Sequence, residues 1–251
     1  MANGCISVER ILSKLDEHLG RNDYSAAERH LLYWLSEAEV GNDGRTELLI
    51  RNELMGLYRK LSRRDEALGA TGAALDAIAR MGVGEQVGAA TTYLNCATVY
   101  KAFGMAKESM SLFERARGIY ERELDPDDDR LGGLYNNMAL SLVDLRRFDE
   151  AYELYGKAIS VMEKAEGGAL EVAITYLNIA SAKEAELGLL DADAEINEYL
   201  DRAQELLDAN ESGDGYYAFV CEKCASVFGY YGRFLYDSEL KERARRIYEG
   251  A

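Results

Sequence analysis

The chain has one proline, Pro126, in 251 residues. Proline breaks helix interiors, so its near-absence permits almost unbroken helix. The alternating β-branched runs that mark half-buried strands are missing as well. Only two histidines occur, His18 and His30, both near one end. They cannot supply a general base to a central cleft or build a metal-binding cluster. There is no glycine-rich phosphate loop and no serine elbow. An enzyme is therefore not expected, nor a metal or a cofactor. Basic charge is also scarce: 29 Lys and Arg stand against 45 Asp and Glu, a net charge of −16. That excludes a nucleic-acid partner, whose phosphates would be repelled, and permits a basic one. No apolar run is long enough to span a membrane, and the first ten residues lack the basic and apolar blocks of a secretory signal. Four cysteines (Cys5, Cys96, Cys221, Cys224) read as buried thiols of a reducing, cytoplasmic compartment.

What is present is a repeated phrase. Cys96-Ala-Thr-Val-Tyr-Lys-Ala-Phe-Gly104, continuing to Glu114-Arg-Ala-Arg-Gly-Ile-Tyr120, aligns without a gap with Cys224-Ala-Ser-Val-Phe-Gly-Tyr-Tyr-Gly232, continuing to Glu242-Arg-Ala-Arg-Arg-Ile-Tyr248. Tyr135-Asn-Asn-Met-Ala-Leu140 and Tyr176-Leu-Asn-Ile-Ala180 restate its opening. The equivalent alanines Ala97, Ala139, Ala180 and Ala225 are 42, 41 and 45 residues apart. A period of this size means stacked units that cannot bury their apolar faces alone. The pattern resolves into six helix pairs, at about 6–40, 46–82, 88–122, 130–165, 171–209 and 216–250.

The first helix of a pair carries a large residue, a small one four places on and often an aromatic three further, as in Tyr93, Ala97, Tyr100 and Cys221, Ala225, Phe228. That spacing puts all three on one face. A short turn follows, and an alanine opens the second helix at Ala27, Ala67 and Ala151, where two helices cross too closely for a larger side chain. A further alanine recurs at Ala74, Ala116, Ala158, Ala203 and Ala244.

These positions resemble the signature of the tetratricopeptide repeat, over essentially the whole chain. The usual unit has ~34 residues. Steps near 42 imply helices about a turn longer each, and the spacing, with Leu134-Tyr-Asn-Asn-Met-Ala139 and Leu124-Asp-Pro-Asp127, is similar to the repeats of kinesin light chains. The resemblance implies an all-α, right-handed superhelix of six pairs, residues 1–251 forming a single solenoid domain. The departures fit that reading. Lys14 and Trp34 make the first pair loose, Leu189–Glu195 lengthens a turn in the fifth, and Asp237 and Lys241 make the sixth read as a polar cap. The chain ends two or three residues after that helix, which reads as a complete solenoid.

In proteins of this kind the first helices line a concave groove, and the residue two places before the small one often contacts ligand backbone. The resemblance carries this onto Asn95, Asn137 and Asn178, with Asn52 and Asn136 one place earlier in their pairs. Amides pair with the N–H and C=O of an extended peptide whatever its sequence. They serve equally to cap turns or to hydrogen-bond between neighbouring helices, and both uses stay open. Arg59, Lys60, Thr98, Lys101, Ser181, Glu184, Glu222 and Lys223 face the same way, so the expected partner is a protein or an extended peptide.

Other motifs read as structural. Cys221-Glu-Lys-Cys224 lies mid-helix without a preceding strand, so it is expected in the core. Asp125-Pro-Asp-Asp-Asp129 lacks the spacing of a calcium loop and reads as a helix end and cap. The last pair is rich in aromatics (Tyr216, Tyr217, Phe219, Phe228, Tyr230, Tyr231, Phe234, Tyr236). Core packing accounts for Phe228 and Phe234, and exposed tyrosines offer a contact for a second copy, giving a homodimer through the C-terminal pair as the alternative. A further alternative is the peptide-sensing subunit of a regulator. No DNA-binding segment precedes the first repeat, so such a regulator would act through a separate chain.

Overall fold

The computed structural model describes residues 7–250, so Cys5 lies outside the described residues. They form twelve helices and no strand: α1 Val8–Gly20, α2 Tyr24–Val40, α3 Gly44–Lys60, α4 Arg64–Met81, α5 Val87–Ala102, α6 Ala106–Glu123, α7 Asp129–Asp144, α8 Phe148–Met162, α9 Ala169–Leu187, α10 Asp193–Ala209, α11 Gly215–Tyr230 and α12 Phe234–Gly250. These are the six expected pairs. They fall into two compact units, Met1–Glu123 and Leu124–Ala251.

Each unit is built by the same packing. Within a pair the two helices run against each other, and neighbouring first helices also touch, α3 with α5 in the first unit and α9 with both α7 and α11 in the second. The alanine positions explain how closely they approach. Ala27, Ala67, Ala74, Ala116, Ala151, Ala158 and Ala203 are completely buried, as are Ala97, Ala139, Ala180 and Ala225. Added methylenes there would force the helices apart, at typically 1–3 kcal/mol. Around them lie apolar clusters: Ile11, Leu31, Ile50 and Leu54 in the first unit, and Ile174, Leu200, Leu207 and Phe228 in the second.

The turns inside the pairs share one conformation. Five of them are three residues long with the middle residue left-handed: Asn22 (φ 54°), Ser62 (φ 56°), Gly104 (φ 76°), Arg146 (φ 59°) and Gly232 (φ 83°). Glycine adopts this region without strain, whereas Ser62 and Arg146 carry a Cβ penalty. Aspartate caps follow or precede several helices: the side chains of Asp23, Asp43 and Asp214 accept from Ala26 N, Thr46 N and Tyr217 N at 2.9, 3.1 and 2.8 Å. The run at 125–129 does the same work, Asp128 capping α7 through Arg130 N at 3.1 Å.

The fifth turn differs, as its sequence suggests. Part of the extra length lies in α9, which has 19 residues, and the rest in Gly188–Ala192. In the last pair Lys241 bonds Asp237, and Arg245 reaches both Glu242 and Glu249. One expectation is corrected. Phe234 is not core: it is 68% exposed, because α12 buries Tyr236, Leu240 and Ala244, and Phe234 opens the helix off that face. Phe228, Tyr217 and Tyr236 are buried. Among the described residues no helix is long and apolar enough to cross a membrane.

Buried charge is concentrated in the first unit. Glu47 is only 3% exposed and is held by Arg51 and Arg80 at 3.0 and 2.6 Å, Arg51 reaching on to Glu39 of α2 at 2.6 Å. This network ties α2, α3 and α4 together. In the second unit Arg243 plays a similar part, bonding the Tyr217 hydroxyl at 2.9 Å, Asp208 at 2.9 Å and Glu239 at 2.5 Å.

Candidate functional site on the first helices of the pairs

The expected residues stand on the first helices of the pairs, and the structure reveals which of them meet. In the second unit α7 faces α9. Here Asn178 Nδ2 donates to Asn136 Oδ1 at 2.9 Å, and the Thr175 hydroxyl lies 3.3 Å from the same oxygen. Asn137 turns back on its own helix, donating to Gly133 O at 2.8 Å. This is the interhelical use of the amides, and it leaves the Asn136 oxygen satisfied.

In the first unit α3 faces α5 with the same residues in register. Asn52 corresponds to Asn136, Thr92 to Thr175 and Asn95 to Asn178. Glu53 stands in place of Asn137. Asn52 Nδ2 donates to the Thr92 hydroxyl at 3.1 Å, and that hydroxyl lies 3.2 Å from Gly88 O. A hydroxyl has one proton; spent on Gly88, it makes Thr92 an acceptor from Asn52. Asn52 Oδ1 is then buried without a partner. Asn95 makes no hydrogen bond to the described residues, although it is half-buried. Glu53 is half-buried with no ion-pair partner, and its carboxyl is pushed above the usual range, first by burial and then by the like charge of Asp16 on α1. Asn52, Glu53, Thr92 and Asn95 line a groove of ≈ 690 Å³ whose apolar floor includes Leu48, Leu49 and Ala89.

The remaining expected residues are dispersed. The Thr98 hydroxyl donates to Leu94 O at 2.9 Å and Ser181 to Leu177 O at 3.2 Å, each on its own helix. Lys101 lies in the last turn of α5, and Lys60 sits over the Tyr24 ring at 5.2 Å. Glu184 is taken up by the end of α11 and the turn after it, accepting from the hydroxyls of Tyr230 and Tyr231 at 2.7 and 2.8 Å. Lys223, Glu222 and Arg59 are exposed. Asn95 belongs to the first unit, Asn137 and Asn178 to the second. Sequence reasoning passed over Thr92, Thr175 and Glu53. The threonines had a legible signal, each standing five places before a small residue of the repeat, Ala97 and Ala180.

Cys221 and Cys224 are fully buried on α11, with Cys224 pushed up to about 12 by burial, as is Cys96. A thiol held protonated is a packing group, not a nucleophile. Among the described residues no group of three or more His, Cys, Asp or Glu is placed to hold a metal. A second hollow, of ≈ 620 Å³, lies beside α9 and α10; its Arg202 is paired with Glu198 and stacked over Tyr176.

No family model and no curated protein matches the chain. Solved structures do. BtubC (BKLC) from P. vanneervenii is 22% identical, over 80% of this chain and 80% of that one, with a TM-score of 0.67. The nearly identical TPR-like repeats of a putative kinesin light chain from Podosopora anserina are 18% identical, over 81% of this chain and 95% of that one, with a TM-score of 0.56. Likeness at this identity speaks of fold, and it agrees with the buried alanine register and the six helix pairs: the chain has a tetratricopeptide-like repeat fold.

Proposed function

We propose that the chain is a protein-binding scaffold that takes an extended segment of its partner along the first helices of its pairs. The observation that carries this is the set of amides half-buried on first helices of the pairs, Asn52 and Asn95 in the first unit and Asn136, Asn137 and Asn178 in the second. Thr98, Lys101, Ser181 and Lys223 would add side-chain selectivity. That the six pairs act as a single domain in a cytoplasmic setting is part of the proposal, and the free thiols of Cys96, Cys221 and Cys224 agree with such a setting.

The test must remove amides without leaving orphans. Asn52, Asn95 and Asn137 are replaced by alanine singly, whereas Asn136 and Asn178 are replaced together, because truncating one partner strands the other. Wild type and a variant combining all five replacements are used to capture proteins from native lysate, with circular dichroism confirming the fold. Loss of a specific partner in the folded variant is expected. Equal capture by both would sink the groove reading.

A second reading has its own observation. The last pair exposes Phe219 (49%), Tyr230 (68%), Phe234 (68%) and Leu235 (90%). Such residues suit a second copy of the chain. Sedimentation would reveal a concentration-dependent mass, and a monomer at every concentration would remove this reading.

A further inference from the structure

We propose that the α3–α5 groove of the first unit binds an extended peptide segment that carries a lysine or arginine side chain, with Glu53 as its counter-ion. This deepens the scaffold reading above and rests on it.

Three unfinished polar groups meet in one place. Native structures leave few buried polar atoms unpaired, and each one asks for a reason. Asn52 Oδ1 is an acceptor withdrawn from solvent with no donor. Asn95, beside it on α5, has an uncommitted amide. Glu53 is a carboxylate half out of water with no cation. In the second unit the corresponding amides are closed on each other or on their own helix, so the fold can satisfy this register and does so where Asn137 replaces Glu53. The first unit holds the same positions open around a groove roomy enough for a chain.

The chemistry of the gap names the occupant. Asn52 Oδ1 and Glu53 both lack donors, so the ligand brings N–H groups and positive charge. A peptide backbone supplies the first, reaching the Asn95 amide on the groove wall. A guanidinium or ammonium supplies the second. The apolar floor of Leu48, Leu49 and Ala89 takes the methylenes of that side chain. The charge felt at Glu53 is that of Asp16, which is also negative. Arg45 lines the same groove but stands two turns away on α3, about 12 Å along the axis. Arg45 makes no ion pair with Glu53 and does not offset the rise of its pKa. An acidic peptide would add a third negative charge to this end, and a neutral one would leave Glu53 without a partner.

The probe is a set of end-capped, degenerate peptide pools that differ only in a fixed central residue, Arg, Gln or Glu, titrated into the full chain by calorimetry. The Arg pool is expected to bind about tenfold tighter than the Gln pool, the size of one charge-assisted contact, with the Glu pool weakest. In Glu53→Gln, checked for fold by circular dichroism and melting, the Arg preference should vanish while residual binding stays. Asn95→Ala should weaken all pools alike. Equal binding of the pools, a preference that survives in Glu53→Gln, or no binding of any pool overturns the proposal. The two readings fail separately: a native partner retained equally by wild type and Glu53→Gln, yet lost in the combined amide variant, leaves the scaffold standing and removes only the cation site.

Discussion

Two regions of this molecule carry almost the same four residues in the same register and use them differently. On α7 and α9, Asn136, Asn137, Thr175 and Asn178 form a closed set, the Asn178 and Thr175 side chains converging on Asn136 Oδ1. On α3 and α5, Asn52, Glu53, Thr92 and Asn95 stay open, with one buried oxygen unpaired and one carboxylate without a cation. Three of the four residue types are identical. A repeat motif thus specifies where a side chain stands on its helix, not whether it finds a partner across the gap.

Substitutions can break or sharpen that contrast. The largest effect belongs to Glu47→Ala, which takes the buried carboxylate from Arg51 and Arg80 and leaves Arg51 only the exposed Glu39. Because that partner remains, the cost should lie at the lower end of the about 3–5 kcal/mol of a fully broken buried pair, and urea unfolding should show the loss. Next come the amides themselves. Asn178→Ala takes the best donor from Asn136 Oδ1 and should cost about 1–3 kcal/mol. Its counterpart Asn95→Ala removes an amide with no partner and should stay within about 0.5 kcal/mol. Equal losses in the two would abolish the distinction between open and closed sets.

Glu53→Gln sharpens the comparison through pH. Burial raises the Glu53 pKa in the folded chain, so folding favours the protonated carboxyl. The stability linked to that shift is fully present below the unfolded value of about 4.3 and is lost as pH rises through the folded value. Glutamine mimics the protonated form. The variant should therefore melt higher than wild type at neutral pH, by less than about 1 kcal/mol, and the gap should close on acidification. A gap independent of pH would place its origin elsewhere.

The smallest effect concerns the turns. Ser62→Gly relieves a left-handed residue (φ 56°) but frees the unfolded chain, for a net gain of at most about 0.5 kcal/mol. At the matching position in the second unit, Arg146→Gly should be worse, because the Arg146 side chain donates to Ala185 O at 3.1 Å and sits over Phe148. Thermal melts of the pair would expose the difference.

Most of the fold was legible in the residues. Alanines at a fixed register announce close helix crossings, and every one of Ala27, Ala67, Ala97, Ala139, Ala151, Ala180 and Ala225 is buried without remainder. Periodic burial is a local property of one helix, so a linear pattern records it. Phe234 was misjudged because an aromatic at a helix start carries no periodic context to say which way it faces. The site was legible only in part. The register of the asparagines could be read, as could a role between helices for some of them. That Asn178 would close on Asn136 while Asn95 left Asn52 open could not, because hydrogen bonding depends on fractions of an ångström between backbones far apart in sequence.

By itself, then, the sequence determined an all-helical chain of six pairs, its boundaries to within a few residues, its alanine seams, the capping run at 125–129 and its strongly negative charge. These follow from helix period, side-chain volume and backbone hydrogen-bonding rules acting over a few neighbouring residues. Tertiary structure alone decided that the pairs gather into two compact units, that Glu47 is buried between two arginines, and that Glu53 lines a groove without a counter-charge. Each of those depends on which helices meet and how closely, and burial and pairing are properties of the assembled surroundings rather than of any residue in its own stretch of chain.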